Sequence, residues 1–196
     1  MSHSHASHHL KPVTGPLTLA SAEPALGQVL SPTDHALPLM TDFTLVPAFS
    51  VGPLMQIDLV LTHMKIAGVR FMFVKNQEEA LVGFITAYDI LGEKPMRYLQ
   101  SIDCNRDTCT RTDVLVEHIM TPVGEWDVLE YGFVAKASVA QLTQIFNDTG
   151  KRHLVVVHHH QVRGIISATR LEQATRVQLG TIGSARSFMD IGRALV

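Results

Sequence analysis

Two hydrophobic periods take turns along this chain. Ile57, Val60, Leu61 and Met64 recur at i, i+3, i+4 and i+7, the spacing of one buried helix face. Gly68 follows as a helix stop, since glycine readily takes the left-handed backbone that ends a helix. Phe71-Met72-Phe73-Val74 reads as a strand, residues 75–80 as a polar turn, and Leu81-Val82-Gly83-Phe84-Ile85 as a second strand. Thr86 stands where an N-cap belongs, before a helix opening on Ala87-Tyr88-Asp89. The succession then returns. Val139, Leu142 and Phe146 mark a helix and Gly150 stops it. Residues 154–157 and 162–166 read as strands around a turn at 158–161, and Ser167 caps the next helix.

This is an internal repeat. Leu39-Met40-Thr41 recurs as Ile119-Met120-Thr121. Ala67-Gly68-Val69-Arg70 recurs loosely as Thr149-Gly150-Lys151-Arg152, and Gly83-Phe84-Ile85-Thr86-Ala87 as Gly164-Ile165-Ile166-Ser167-Ala168. All three share an offset of about 80 residues, within the range of repeat architectures. Each unit reads as strand, helix, strand, hairpin, strand, helix. The helix between the first two strands suits a parallel crossover, and the short turn suits an antiparallel hairpin. The expected class is therefore α+β: two repeats, each a small three-stranded mixed sheet with two helices, packed as a pseudo-twofold pair. One unit alone is too small to bury its apolar face well. The pair packs either sheet on sheet or helix on helix. The expected divisions are a flexible His-rich head at 1–22, repeat 1 at 32–98, a polar linker at 99–113, repeat 2 at 114–178 and a tail at 179–196.

Composition narrows the function classes. The chain has 196 residues, 46% of them hydrophobic, so a core can form. Its 17% charged residues fall below the usual ~25%. A net charge of −2 supplies no basic excess for sequence-independent nucleic-acid binding. The richest apolar stretch, residues 45–61, is broken by Pro47, Gly52, Pro53 and Asp58, so no membrane span is expected. No basic segment followed by an apolar block opens the chain, and a cytoplasmic protein is expected. Cys104 and Cys109 are expected as two reduced thiols, since a C-x4-C alone is half a zinc site at best. No phosphate-binding glycine loop, dinucleotide fingerprint, H-E-x-x-H or G-x-S-x-G occurs, and nothing in the sequence argues for an enzyme.

The duplicated motifs resemble a tandem pair of cystathionine-β-synthase (CBS) domains, the Bateman module. The resemblance rests on Met120-Thr121-Pro122 with its partner Met40-Thr41-Asp42, and on residues 150–157 with counterparts at 68–74. Its most specific part is Gly-Phe-Ile-Thr-Ala-Tyr-Asp at 83–89. It implies a non-enzymatic regulatory module that binds an adenosine-containing ligand (AMP, ADP, ATP, sometimes S-adenosylmethionine or NAD) between the repeats. It also implies a homodimer and a protein partner that reads the ligand state. No resident cofactor is required.

The residues fit such a site. Gly83 lets backbone approach a ligand. The Thr86 hydroxyl stands at a helix start, where free N–H groups favour phosphate. Asp89, three residues on, accepts hydrogen bonds from a ribose diol. Tyr88 lies between them. Leu45, Val46 and Val69 are expected to hold the adenine, and Arg70 to pair with phosphate. A second reading makes Thr86 and Asp89 a capping box that serves the helix alone. In the second repeat Ser167 keeps the hydroxyl, but Arg170 replaces the aspartate and cannot accept a hydrogen bond. That site is expected to be altered or empty. Arg170 either binds phosphate with Lys151, Arg152 or His153, or closes the cleft through a salt bridge.

Eleven histidines stand out. His3, His5, His8 and His9 crowd the head, and His158-His159-His160 fill the second hairpin turn. Both groups suit Zn, Ni or Cu by composition. The expectation is a polar, solvated role with no metal; a metal-responsive protein is the third reading, after a ligand-free dimerisation scaffold. His35, His63, His118 and His153 are isolated.

Overall fold

The structure, a computed structural model, describes residues 29–102 and 109–179. The His-rich head, Cys104 and the expected tail beyond Leu179 lie outside the described residues. In chain order the elements are β1 (Thr41–Asp42), β2 (Ser50–Val51), α1 (Ile57–Ala67), β3 (Phe71–Lys75), β4 (Leu81–Thr86), α2 (Ala87–Leu91) and α3 (Lys94–Ser101). There follow α4 (Val116–Ile119), β5 (Thr121–Pro122), β6 (Val128–Glu130), α5 (Tyr131–Val134), α6 (Val139–Thr149), β7 (His153–His158), β8 (Gln161–Ser167) and α7 (Ala168–Thr175).

The periodic segments form the expected elements. In α1, Ile57, Val60 and Met64 are buried; in α6, Val139, Leu142 and Phe146 are. Gly68 and Gly150 end these helices with φ of 66° and 62°, a backbone that costs glycine little. Each helix is a crossover between parallel strands: β2 pairs with β3, and β6 with β7. The hairpins β3–β4 and β7–β8 are antiparallel. Three strands of mixed pairing thus come from each repeat, as the sequence predicts.

A fourth strand comes from the other repeat. The two sheets run β2-β3-β4-β5 and β1-β8-β7-β6. Thr121 and Pro122 pair with Phe84 and Gly83 of repeat 1, while Thr41 and Asp42 pair with Ile165 and Gly164 of repeat 2. The exchange is reciprocal, which is what a pseudo-twofold requires. It also explains the recurring glycines. A Cβ on Gly164 would stand 2.5 Å from the Thr41 carbonyl oxygen and 2.9 Å from the Met40 sulfur. A Cβ on Gly83 would meet the Thr121 oxygen at 2.8 Å and the Met120 sulfur at 2.9 Å. Arg163 then ties the exchanged strand down, its Nη2 2.9 Å from Asp42 Oδ2 and its Nε 3.0 Å from Oδ1.

Each sheet packs one face on its own helices. Met72, Val74 and Ile85 join α1 in one core; Leu154, Val156 and Ile166 join α6 and α7 in the other. By strand alternation Phe71, Phe73 and Phe84 point the other way, toward repeat 2. Their rings meet Trp126 and His153: Phe73–Trp126 at 6.0 Å, Phe84–Trp126 at 5.5 Å and Phe71–His153 at 5.5 Å between centroids. Of the two packings left open by the sequence, the strand faces meet.

The segment expected as a polar linker is anchored at both ends. Helix α3 runs into it as far as Ser101, and Arg111 Nε lies 2.9 Å from Asp58 Oδ1 of α1. Cys109 is disulfide-bonded, which corrects the expectation of two reduced thiols.

Candidate functional site

Two cavities lie between the repeats, and the strand exchange decides their walls. The first, about 420 Å³, takes Phe84, Thr86, Tyr88, Asp89 and Lys94 from repeat 1. Its other wall is Thr121, Glu125, Trp126, Asp127, Lys151, Arg152, His153 and Val155 of repeat 2. The second, about 460 Å³, reverses the roles. Ser167, Thr169, Arg170 and Gln173 of repeat 2 face Thr41, Phe43, Val46, Val69, Arg70 and Phe71 of repeat 1. Tyr88 and His153 line both. Such volumes suit small-molecule sites.

The sequence reading groups Leu45, Val46, Val69 and Arg70 with Thr86 and Asp89. The structure does not. Val46, Val69 and Arg70 face Ser167 and Arg170, while Arg152, expected beside Arg170, stands with Asp89. Leu45 lines neither cavity and is 83% exposed. Gly83 also lies outside both; what its missing side chain admits is the exchanged Thr121 backbone, not a ligand. His153, expected beside Arg170, lines the cavity of Arg170 and also the one with Asp89. Trp126 is a lining residue that the sequence did not single out, although the repeat held a signal for it as the counterpart of Val46.

At the first cavity, Thr86 and Asp89 form a capping box. Thr86 N–H and Oγ–H donate to Asp89 Oδ2 at 2.8 and 2.7 Å, and Asp89 N–H donates back to Thr86 Oγ1 at 3.2 Å. The other carboxylate oxygen, Oδ1, accepts from Lys94 Nζ at 2.7 Å. Helix α2 is only five residues long and its first turn is occupied by this box, so its backbone adds little for a phosphate. The cations do more. Lys151 is paired with Asp127, and the Arg152 guanidinium lies 4.7 Å over the Tyr88 ring. Arg152 is in no ion pair among the described residues. Asp89, Glu125 and Asp127 stand against Lys94, Lys151 and Arg152, so the wall has both signs.

No family model and no curated protein matches the sequence. Solved structures do match. An uncharacterized conserved protein from Pyrococcus horikoshii aligns with a TM-score of 0.53 and 19% identity, over 78% of this chain and 99% of that one. A CBS-domain containing protein from Agrobacterium tumefaciens aligns with a TM-score of 0.51 and 17% identity, over 72% of this chain and 92% of that one. The fold is that of a tandem CBS-domain pair.

Within this fold, His153 lines both cavities. Burial among the rings pushes its imidazole down to about 4 from 6.5; Asp89 pulls it back up, and Arg152 and Arg70 push it further down. Between those values the unfolded chain takes up a proton that the folded one refuses, so stability falls as pH drops through that window. The expected loss between pH 7 and pH 4 is on the order of 3 kcal/mol. Urea unfolding at pH 7, 5.5 and 4 measures it, and His153→Phe should flatten the dependence. Asp42 acts in a lower window. Arg163 and Thr44 hold its carboxyl down at about 2 against 3.8, so its contribution is lost only as pH falls through that range.

The histidine turn is structural in form. His159 and His160 take left-handed φ of 48° and 61° at the tip of the β7–β8 hairpin. No group of three or more His, Cys, Asp or Glu among the described residues is arranged to hold a metal ion. His118 accepts the Leu115 N–H at 3.0 Å and stacks on Tyr98 at 4.1 Å. No helix among the described residues is long and apolar enough to cross a membrane.

Proposed function

We propose that this CBS pair, with repeats at 32–98 and 114–178, is a non-enzymatic sensor of an adenosine-containing ligand of the AMP, ADP or ATP class. The observation that carries this reading is the first cavity. A carboxylate, a set of rings and a cation without a salt-bridge partner among the described residues converge there from both repeats. Asp89 Oδ1 accepts from the ribose, Trp126 and Tyr88 offer faces to the base, and Arg152 meets a phosphate. Because each repeat supplies one wall, a ligand with different affinity for two inter-repeat packings shifts their balance. A protein partner reads that shift. Exposed apolar side chains along α1 to α3 (Leu59, Ile66, Leu91, Met96) support a homodimer.

One observation favours the alternative, a ligand-free scaffold. Asp89 is already engaged by Thr86 and Lys94, as a purely structural cap would be. The bonded Cys109 also removes the reduced-thiol support for a cytoplasmic placement.

Titration separates the two. Trp126 is the sole tryptophan and lines the first cavity, so its emission reports occupancy there. AMP, ADP, ATP or S-adenosylmethionine should change that emission at one equivalent per chain. A ligand at 100 times Kd should stabilise the fold by about 2.7 kcal/mol. No emission change and no thermal shift with any of them means the scaffold.

A further inference from the structure

A further cleft, of about 610 Å³, opens beside the tip of the β7–β8 hairpin. Its walls are mostly apolar: Val123, Trp126, Val128, Val157 and Val162. Val123 and Val128 are 41% and 47% exposed. The edge strand β6 explains this. Leu129 packs on the helix-side core, so Val128 and Glu130 point to the opposite face. The Glu130 carboxylate lines the cleft and has no hydrogen-bond or ion-pair partner among the described residues. No lysine or arginine lines the cleft. An apolar surface with one unpaired negative charge fits an apolar segment that carries a cation.

The chain itself holds such a segment close by. Strand β8 starts at the hairpin tip and ends at Ser167. Helix α7 then returns along the same sheet, burying Ala168, Leu171 and Ala174. The Ala174 carbonyl accepts the Leu30 N–H at 2.9 Å, and the Pro32 carbonyl accepts the Ala140 N–H, also at 2.9 Å, in the first turn of α6. Helix α6 begins beyond the end of β6, whose Glu130 pairs with Val157 near the hairpin tip. Leu179 is buried in the same core, its N–H 3.1 Å from Glu172 Oε1. The described chain therefore leaves repeat 2 at the end that carries the cleft. Residues 180–187 span up to about 26 Å, enough to pass around the edge strand β6.

Farther on, Phe188, Ile191 and Leu195 recur at i, i+3 and i+7. That is the anchor spacing with which an amphipathic helix enters an apolar groove. Ser187 and Asp190 have the S-x-x-D spacing of a capping box, which leaves Arg186 before the predicted helix. The N-terminal head joins the fold close by at Val29, but Pro12, Pro16 and Pro24 interrupt its apolar positions and it holds no arginine.

We propose that residues 180–196 turn back and dock in this cleft of their own chain: Phe188, Ile191 and Leu195 against Val123, Val128 and Val157, and Arg186 beside Glu130. Tethering gives the segment an effective concentration on the order of millimolar, so a few anchors suffice. Trp126 lines both this cleft and the first cavity, so the docked segment steadies one wall of that cavity. The docking does not rest on any ligand there.

The test uses the full chain without ligand and reads the acrylamide quenching of Trp126, the sole tryptophan. Phe188→Ser should raise the quenching constant at least about twofold, because burial of one phenylalanine weighs heavily in so small a contact. Glu130→Lys should raise it by a smaller margin, as loss of an exposed ion pair does. Adding Arg186→Glu to Glu130→Lys should return it to the unsubstituted value. Glu130 is exposed, so its substitution leaves both cores intact. The proposal is overturned if Phe188→Ser leaves the quenching unchanged or if Arg186→Glu fails to rescue Glu130→Lys. It is also overturned if Leu17→Ser in the head raises the quenching instead, or if dilution alone does, which would mean that a second copy covers the cleft.

Discussion

Gly164→Val is expected to lower the unfolding free energy by at least about 3 kcal/mol, the largest effect of any single substitution in the sheets. The reason is a backbone, not a side chain. The new Cβ would lie 2.5 Å from the Thr41 carbonyl oxygen, and β1 cannot retreat without breaking its pairing with β8. Retreat would also draw Asp42 away from Arg163, whose bidentate contact crosses between the repeats. Met40 Cγ and Sδ would each stand 2.9 Å from the same Cβ, and Met40 is itself buried, so it cannot simply swing out. Gly83→Val should behave alike against Thr121. Gly52 is the control: nothing lies within 4 Å of a Cβ there, and Gly52→Ala should stay within about 0.5 kcal/mol. Urea unfolding of the three variants measures the difference. Equal stability of the Gly164 variant and the unsubstituted chain would mean that the exchanged strand does not form.

That exchange also marks where sequence reasoning stopped. Helix faces such as Ile57-Val60-Met64 and strands such as residues 71–74 carry a period, because one side of each must be buried. The crossover and hairpin then follow from connection length. Strands β1 and β5 have two residues each, too few to show any alternation. Pairing of Thr41 with Ile165, or of Phe84 with Thr121, reaches far along the sequence and leaves no local trace. Each motif residue was therefore legible, but its partners were not. Thr86 and Asp89 were found by their spacing, then assigned walls from their own repeat; the structure gives them Trp126, Arg152 and His153 from the other. Gly83 shows the same limit. The need for close backbone approach was visible, and the approaching group was a strand.

Asp89→Asn is expected to weaken nucleotide binding at the first cavity by about 1.5–3 kcal/mol, roughly ten- to a hundredfold. Asparagine keeps an acceptor for the Thr86 N–H, so the cap largely survives; Asp89→Ala would also lose about 1 kcal/mol of capping. The lone pairs say why the charge matters. An ionised carboxylate has about four acceptor positions. Thr86 fills both on Oδ2, and Lys94 fills one on Oδ1. One position remains for a ribose diol that offers two donors. The second hydroxyl must displace either the Thr86 O–H or Lys94. Displacing Lys94 releases an ammonium group beside the phosphate, so the exchange offsets its own cost only when the ligand carries one. Adenosine should therefore lose less than AMP on Lys94→Met. A Trp126 titration of both ligands against both variants measures this. If Asp89→Asn leaves the AMP affinity unchanged while Trp126 still responds, the carboxylate is only a helix cap and the base and phosphate alone hold the ligand.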